Sequence, residues 1–336
     1  MPPYFHPRLI NDPFEDPGLF IPFLFEKRAI LFDLGNLDSL SAKDILKVSH
    51  IFVTHTHMDH FIGFDQILRL LLGRNKKLCI YGPGGFFRNI EGKLAGYTWN
   101  LVENYTNRFT LEVSEVHADR VLNRRYLCRT GFQQDGPTQT TAFDGKLLSE
   151  PALSVSGVIL DHKISCLGLS LHERFHININ KSRAEAMGLP MGPWLNDFKQ
   201  ALYEKKCPNL RLEVPTAADE KKTVSFKLGE LANEIAIISP GQKVTYITDA
   251  IFSEENLKKI IPFAKDSDHL FIEACFLDKH RDIARNKFHL TAKQAGVIAR
   301  KANTKAFTVF HFSPRYAGNA DELEQEASEA FKLPNS

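Results

Sequence analysis

The sequence predicts an α/β protein built as a four-layer αββα sandwich, and three patterns carry that prediction. Strand-like and helix-like runs alternate toward both ends of the 336 residues, the middle is richer in strand-like runs, and no repeat of fixed period interrupts them. No linker separates the halves, so residues 1–336 are expected to form one domain with an arm-like insertion around 175–225.

In order, the first eighteen residues hold five prolines and are expected to be an irregular arm. Residues 19–26 and 29–33 are strands joined around Glu26-Lys27-Arg28. Ser41 caps a short helix reaching Lys47, with Asp44 at its third position. The β-branched and aromatic run 50–54 is a buried strand, and Phe61, Phe64, Ile67, Leu68 and Leu71 repeat at helical spacing. A strand over 78–81 meets a Gly-Pro-Gly-Gly turn at 82–85. Residues 104–157 resemble an antiparallel sheet, 158–160 and 166–172 are further strands, and 181–188 is a helix ending at Gly188. Residues 190–225, with Pro193, Pro208, Pro215 and the charged run Asp219-Glu220-Lys221-Lys222, are the least regular stretch. Strands over 243–248, 270–273 and 306–310 then alternate with helices over 253–261, 291–302 and 321–331.

Forty-two basic against forty acidic residues leave a formal charge of +2, so bulk charge argues for no nucleic-acid affinity. The basic groups Arg74-Lys76-Lys77, 120–129 and 199–206 are more simply solvated faces than an RNA path. Five scattered cysteines with no Cys-x-x-Cys pair suit a reducing compartment. The apolar run 19–25 is short, holds Pro22 and lacks a basic flank, so neither a signal peptide nor a membrane span is expected, and cytoplasm is the default.

The densest chemistry lies at Thr54-His55-Thr56-His57-Met58-Asp59-His60, on a strand-to-helix loop. Three imidazoles and a carboxylate in six positions suit zinc and its first-row neighbours. His55 and His57, two apart on extended chain, face the same way, while Asp59 and His60 begin the helix and can face a second ion. Strand-end loops supply three more candidate ligands: His162 after 158–160, Asp249 after 244–248 and His311 after 307–310.

With those residues assembled, the pattern resembles the metallo-β-lactamase fold, and further stretches resemble ribonuclease Z, the tRNA 3′-processing endonuclease. The segment 161–168 around His162 resembles that family's third-histidine segment, and Gly188-Leu189-Pro190-Met191-Gly192-Pro193 its tRNA-binding arm. Glu273-Ala274-Cys275-Phe276 resembles its Glu-Ala-Thr-Phe strand end, His289-Leu290-Thr291-Ala292 its His-x-Thr-Ala motif, and His311-Phe312-Ser313-Pro314-Arg315-Tyr316 its final histidine motif. The chain departs from the family at its Pro/Phe-rich start, in the non-basic 194–199 after Gly192-Pro193, and in the residue before Asp249, Thr248, where a glycine is usual.

The resemblance implies two zinc ions, one held by His55, His57 and His162, the other by Asp59, His60 and His311, with Asp249 between them. Manganese or iron would suit the same ligands. Two ions about 3.5–4 Å apart would acidify a water and clamp the oxygens of an in-line displacement. Asp59 would orient the water, and His289, with Glu273 as orienting partner, would protonate the leaving oxygen. The plain alternative for His289 is a histidine capping the next helix. Arg315 could meet a phosphate through its planar fork or pair with the acidic last helix. Gly192 and Pro193 would contact substrate. His172 and His176 are expected on the surface, and His6, His50, His117, His269 and His280 lack partners at ligand spacing.

Precursor tRNA, losing its 3′ trailer, is the substrate the resemblance implies, with a homodimer as the assembly. The competing expectation is a hydrolase of a small phosphodiester, cyclic nucleotide, sulfate ester or lactone on the same scaffold. A metal-free RNA-binding protein on a degenerate fold is the third, and the intact ligand set argues against it.

Overall fold

The computed structural model describes residues 5–24, 26–217 and 222–334. Its contacts divide the chain into two compact units, one of 5–147, 155–171 and 243–334, the other of 148–154 and 172–242.

The larger unit is organised by two sheets whose inner faces meet. In the first, Ala29–Phe32, Val48–Phe52, Lys76–Pro83 and Phe109–Val116 run parallel. The antiparallel pairs Leu19–Pro22 and Arg8–Leu9 extend one edge, and Arg120–Leu127 extends the other. In the second, Lys243–Ile247, His269–Glu273 and Phe307–Phe310 are parallel, beside the hairpin of Leu153–Asp161 and Ser165–Glu173. Apolar runs buried on both faces are what parallel strands under helices require. Tyr246 joins the sheets, stacking on Phe310 and meeting Phe32 at 6.0 Å. The helices Phe64–Leu71 and Phe86–Ala95 bury their apolar stripes on the outer face of the first sheet. Glu254–Ala264, Ala292–Lys301 and Ala320–Lys332 do so on the second. The layers are therefore helix, sheet, sheet, helix, as the sequence predicts. Ser41 accepts from the Asp44 amide, Ser253 from Asn256, and Thr291 and Gln294 form a full capping box, so three expected helix starts have their physical cause.

The expectations for three stretches are corrected. Of the first eighteen residues, 1–4 lie outside the described residues, and 5–18 are not an irregular arm: Arg8–Leu9 pairs with 19–20, and the Pro13 carbonyl accepts from the Phe312 amide at 2.7 Å. The strand expected over 19–26 ends at Pro22; Phe23 makes one isolated bridge to Phe5, and Phe25 lies outside the described residues. Within 190–225, the described residues form a helix Trp194–Tyr203 followed by the strand Arg211–Pro215, which pairs with Thr223–Lys227. Trp194, Phe198 and Ala201, spaced one helical turn apart, are buried in that unit's own core, and this burial outweighs the local prolines. The charged residues Asp219, Glu220 and Lys221 lie outside the described residues.

The smaller unit also holds a two-stranded sheet of Phe175–Ile179 with Ala236–Pro240 and the helices Lys181–Ala186 and Leu228–Ile235. His176 is buried here rather than on the surface, because Glu173 Oε1 lies 2.8 Å from its Nδ1 and Asn178 Oδ1 3.2 Å from its Nε2. His172 is exposed.

Gly63 shows how the histidine loop is held. Its amide donates to the Leu34 carbonyl, and the Leu34 amide donates to the His60 carbonyl, both at 2.9 Å. A Cβ at Gly63 would strike the Gly35 carbonyl oxygen and come 2.8 Å from Leu37 Cγ. Gly63→Ala is expected to destabilise the fold by about 1–3 kcal/mol through overpacking. A denaturation midpoint equal to that of the parent chain would contradict this close-packing account.

Candidate metal centre

The parallel strands of both sheets end on one side of the larger unit, and the loops leaving them carry the candidate ligands. Asp249 leaves its strand with φ 49°, and His311 leaves its own with φ 60°. Such left-handed turns at non-glycine residues are sparsely populated and direct these side chains off the strand ends.

Asp249 is buried at the middle of the cluster. Its Oδ2 lies 3.3 Å from His55 Nε2, 3.3 Å from His162 Nε2 and 3.6 Å from His60 Nε2. Its Oδ1 lies 3.2 Å from His311 Nδ1. His55, His57, His162 and Asp249 each offer a ligand atom within 4.8 Å of the others, and so do Asp59, His60 and His311. His311 Nε2 sits 3.2 Å from Asp59 Oδ2, joining residues 252 apart in sequence.

This donor set fits divalent cations. His55 Nε2, His60 Nε2 and His311 Nδ1 are buried with no hydrogen-bond partner, a costly state unless a cation takes their lone pairs. The other nitrogens are engaged. His60 Nδ1 lies 2.9 Å from Asp33 Oδ2, His162 Nδ1 donates to the Phe288 carbonyl at 2.9 Å, and His55 Nδ1 lies 3.1 Å from Thr54 Oγ1. Each arrangement turns Nε2 toward Asp249, the usual way in which outer partners aim ligating histidines.

Electrostatics divides the cluster. Burial pushes the pKa values of His57 and His162 down, keeping both imidazoles neutral and able to donate lone pairs. At His311 burial works the same way, but Asp249, Asp59 and Glu273 outweigh it and hold it at about 10. Burial would raise the Asp249 carboxyl, yet His311 and His60 keep it well below the usual range.

Beside the cluster, His289 Nδ1 lies 2.8 Å from Glu273 Oε2, while Glu273 Oε1 accepts from the amides of Ala250 and Leu290. Burial lowers the His289 pKa, but Glu273 more than compensates, so it ends raised. The following helix is capped by Thr291 rather than by His289. A cavity of 250 Å³ opens onto Asp59, His289 and His311, with Glu15, Asp16, Cys275 and Lys287 in its lining. Arg315 is exposed in the turn Pro314–Tyr316 and, among the described residues, makes no ion pair with the last helix. Gly192 and Pro193 belong to the smaller unit, at the start of its longest helix.

No family model matches the chain. Ribonuclease Z of Deinococcus radiodurans is 29% identical over 290 residues, covering 85% of this chain and 83% of that protein. Ribonuclease Z of Nanoarchaeum equitans is 28% identical over 305 residues, covering 89% and 78%. Among solved structures, the metallo-beta-lactamase fold protein YhfI from Bacillus subtilis superposes with a TM-score of 0.53 at 15% identity, covering 94% of this chain and 86% of that one. Human tRNase Z, short form, gives 0.50 at 16% identity, covering 93% of each. The chain has the metallo-β-lactamase fold. Over most of its length it resembles ribonuclease Z.

Within this metallo-β-lactamase fold, two supports escaped the sequence reading. Asp33 is buried and accepts from the Thr54 amide at 2.7 Å and the Tyr246 hydroxyl at 3.1 Å while facing His60. It follows a buried strand as Asp249 does, so the strand-end rule could have found it. Phe288 takes φ 65°, and its carbonyl orients His162. No side-chain pattern could have signalled a backbone contact. Among the described residues, no helix is long and apolar enough to cross a membrane.

Proposed function

We propose that this metal-dependent hydrolase is a binuclear-zinc phosphodiesterase of ribonuclease Z type, removing the 3′ trailer of precursor tRNA. The observation that carries the reading is the Asp249 carboxylate ringed by four imidazoles, with the His289–Glu273 couple beside it. His55, His57 and His162 would hold one ion, and Asp59, His60 and His311 the other, with Asp249 serving both. When bound, such ions supply Lewis acidity and neutralise charge on a phosphoryl group. The remaining work falls to the chain. His289, its proton favoured by Glu273, donates to the departing oxygen. Asp59, at the open edge of the cluster, orients the attacking water. Phe14 and Phe312, in edge contact at 5.3 Å, wall the cavity and exclude bulk solvent. In this reading residues 1–336 act as one hydrolase domain, and the unit of 172–242 is its substrate arm, with Gly192 and Pro193 in contact with tRNA.

A small phosphodiester is the second reading, favoured by Glu15 and Asp16, anions in the cavity lining that repel a polyphosphate chain. Incubating the zinc-loaded protein with trailer-bearing precursor tRNA and with bis-p-nitrophenyl phosphate decides between them. Trailer removal, by a protein eluting as a dimer, is expected. Hydrolysis of the small diester with the trailer left intact would overturn the tRNA assignment.

A further inference from the structure

We propose that Cys275, His289 and Glu273 form a third metal position, which takes a soft divalent cation such as zinc or cadmium and silences hydrolysis when filled. The proposal rests on the metal-centre reading of Asp249 and its histidines. Glu273, Cys275, His289 and His311 each offer a ligand atom, and these lie within 4.8 Å of one another. Cys275 and His289 line the 250 Å³ cavity that also reaches Asp59 and His311, so a cation entering there meets both. Cys275 is 7% exposed and Glu273 fully buried, and among the described residues the thiol makes no hydrogen bond. A thiolate, an imidazole and a carboxylate are the mixed set that zinc and cadmium prefer over magnesium or calcium.

Charge permits a third dication here. The Cys275 thiol proton leaves to solvent on coordination, giving a thiolate beside the Glu273 carboxylate. Glu15 and Asp16 in the same lining offset repulsion from ions at the centre. His311 stays with the centre. Filling the position takes Glu273 away from His289 and occupies the imidazole lone pair, so His289 can no longer carry a proton to the leaving oxygen. Loss of a general acid of this kind costs about 10²–10³-fold in rate.

The test uses the full chain with exposed Cys207 changed to serine, so that its thiol does not report. The protein is loaded with two equivalents of zinc, verified by metal analysis, then titrated with cadmium. One further equivalent is expected to bind with an ultraviolet thiolate-to-cadmium absorption band, while bis-p-nitrophenyl phosphate hydrolysis falls in parallel. With Cys275→Ser added, the band should vanish, and the protein should keep its own starting rate across the same titration. A third equivalent without the band, or the same inhibition in both proteins, overturns the proposal. If the first stage loads no ion, the metal-centre reading falls, and the band taken with cadmium alone still decides the Cys275 position.

Discussion

Asp249→Asn is expected to lower hydrolysis of bis-p-nitrophenyl phosphate by roughly 10⁴-fold or more, equivalent to about 5.5 kcal/mol of barrier. Bound metal should fall with it. Among the described residues, no other side chain lies against all of His55, His60, His162 and His311. The amide keeps the shape of the residue and removes the charge that both ions would share. Alanine is the harsher change, because it also strips the buried carboxylate that faces His60 and His311. Removing one member of a buried ion pair costs about 3–5 kcal/mol of stability. A folded Asp249→Asn protein with full activity and full metal content would sink the assignment of this cluster as the metal centre.

The second large effect belongs to His289. His289→Ala is expected to cut turnover by about 10²–10³-fold, the usual contribution of a general acid, while both metal equivalents remain bound. That split separates a proton donor from a ligand. Because Glu273 outweighs burial and holds the His289 pKa above its ordinary value, the protonated form persists to higher pH than in a free imidazole and is lost as pH rises through the raised value. The parent should therefore show an alkaline fall in turnover. In Glu273→Gln that fall should move to lower pH, since the amide no longer favours the imidazolium. An unshifted alkaline limb in Glu273→Gln would remove Glu273 from its positioning role. Loss of metal in His289→Ala would instead make His289 a ligand.

Much of this centre was legible in the chain itself, for a simple reason. Four of its candidate ligands fall within six residues, and the other three closely follow runs whose β-branched and aromatic content identifies buried strands. The sandwich was legible because strands buried on both faces read as short continuous apolar runs, while amphipathic helices declare themselves by period. Local pattern failed where long-range burial decided. Trp194–Tyr203 is a helix because Trp194 and Phe198 find a core, although prolines on either side of it suggested a loop. His176 looked like a surface residue of a strand, but Glu173, three residues earlier, turns beneath it and buries both.

The sequence by itself determined the donor types, their placement at strand ends and the layered architecture, since each follows from local spacing and hydrophobic period. Only the tertiary structure decided that His311 meets Asp59, that Asp33 braces His60, that a Phe288 carbonyl aims His162, and that Cys275 shares a cavity with His289. Those pairings depend on which ends of parallel strands converge. Convergence is set by sheet order and interior packing summed over the whole unit, and no window of sequence contains it.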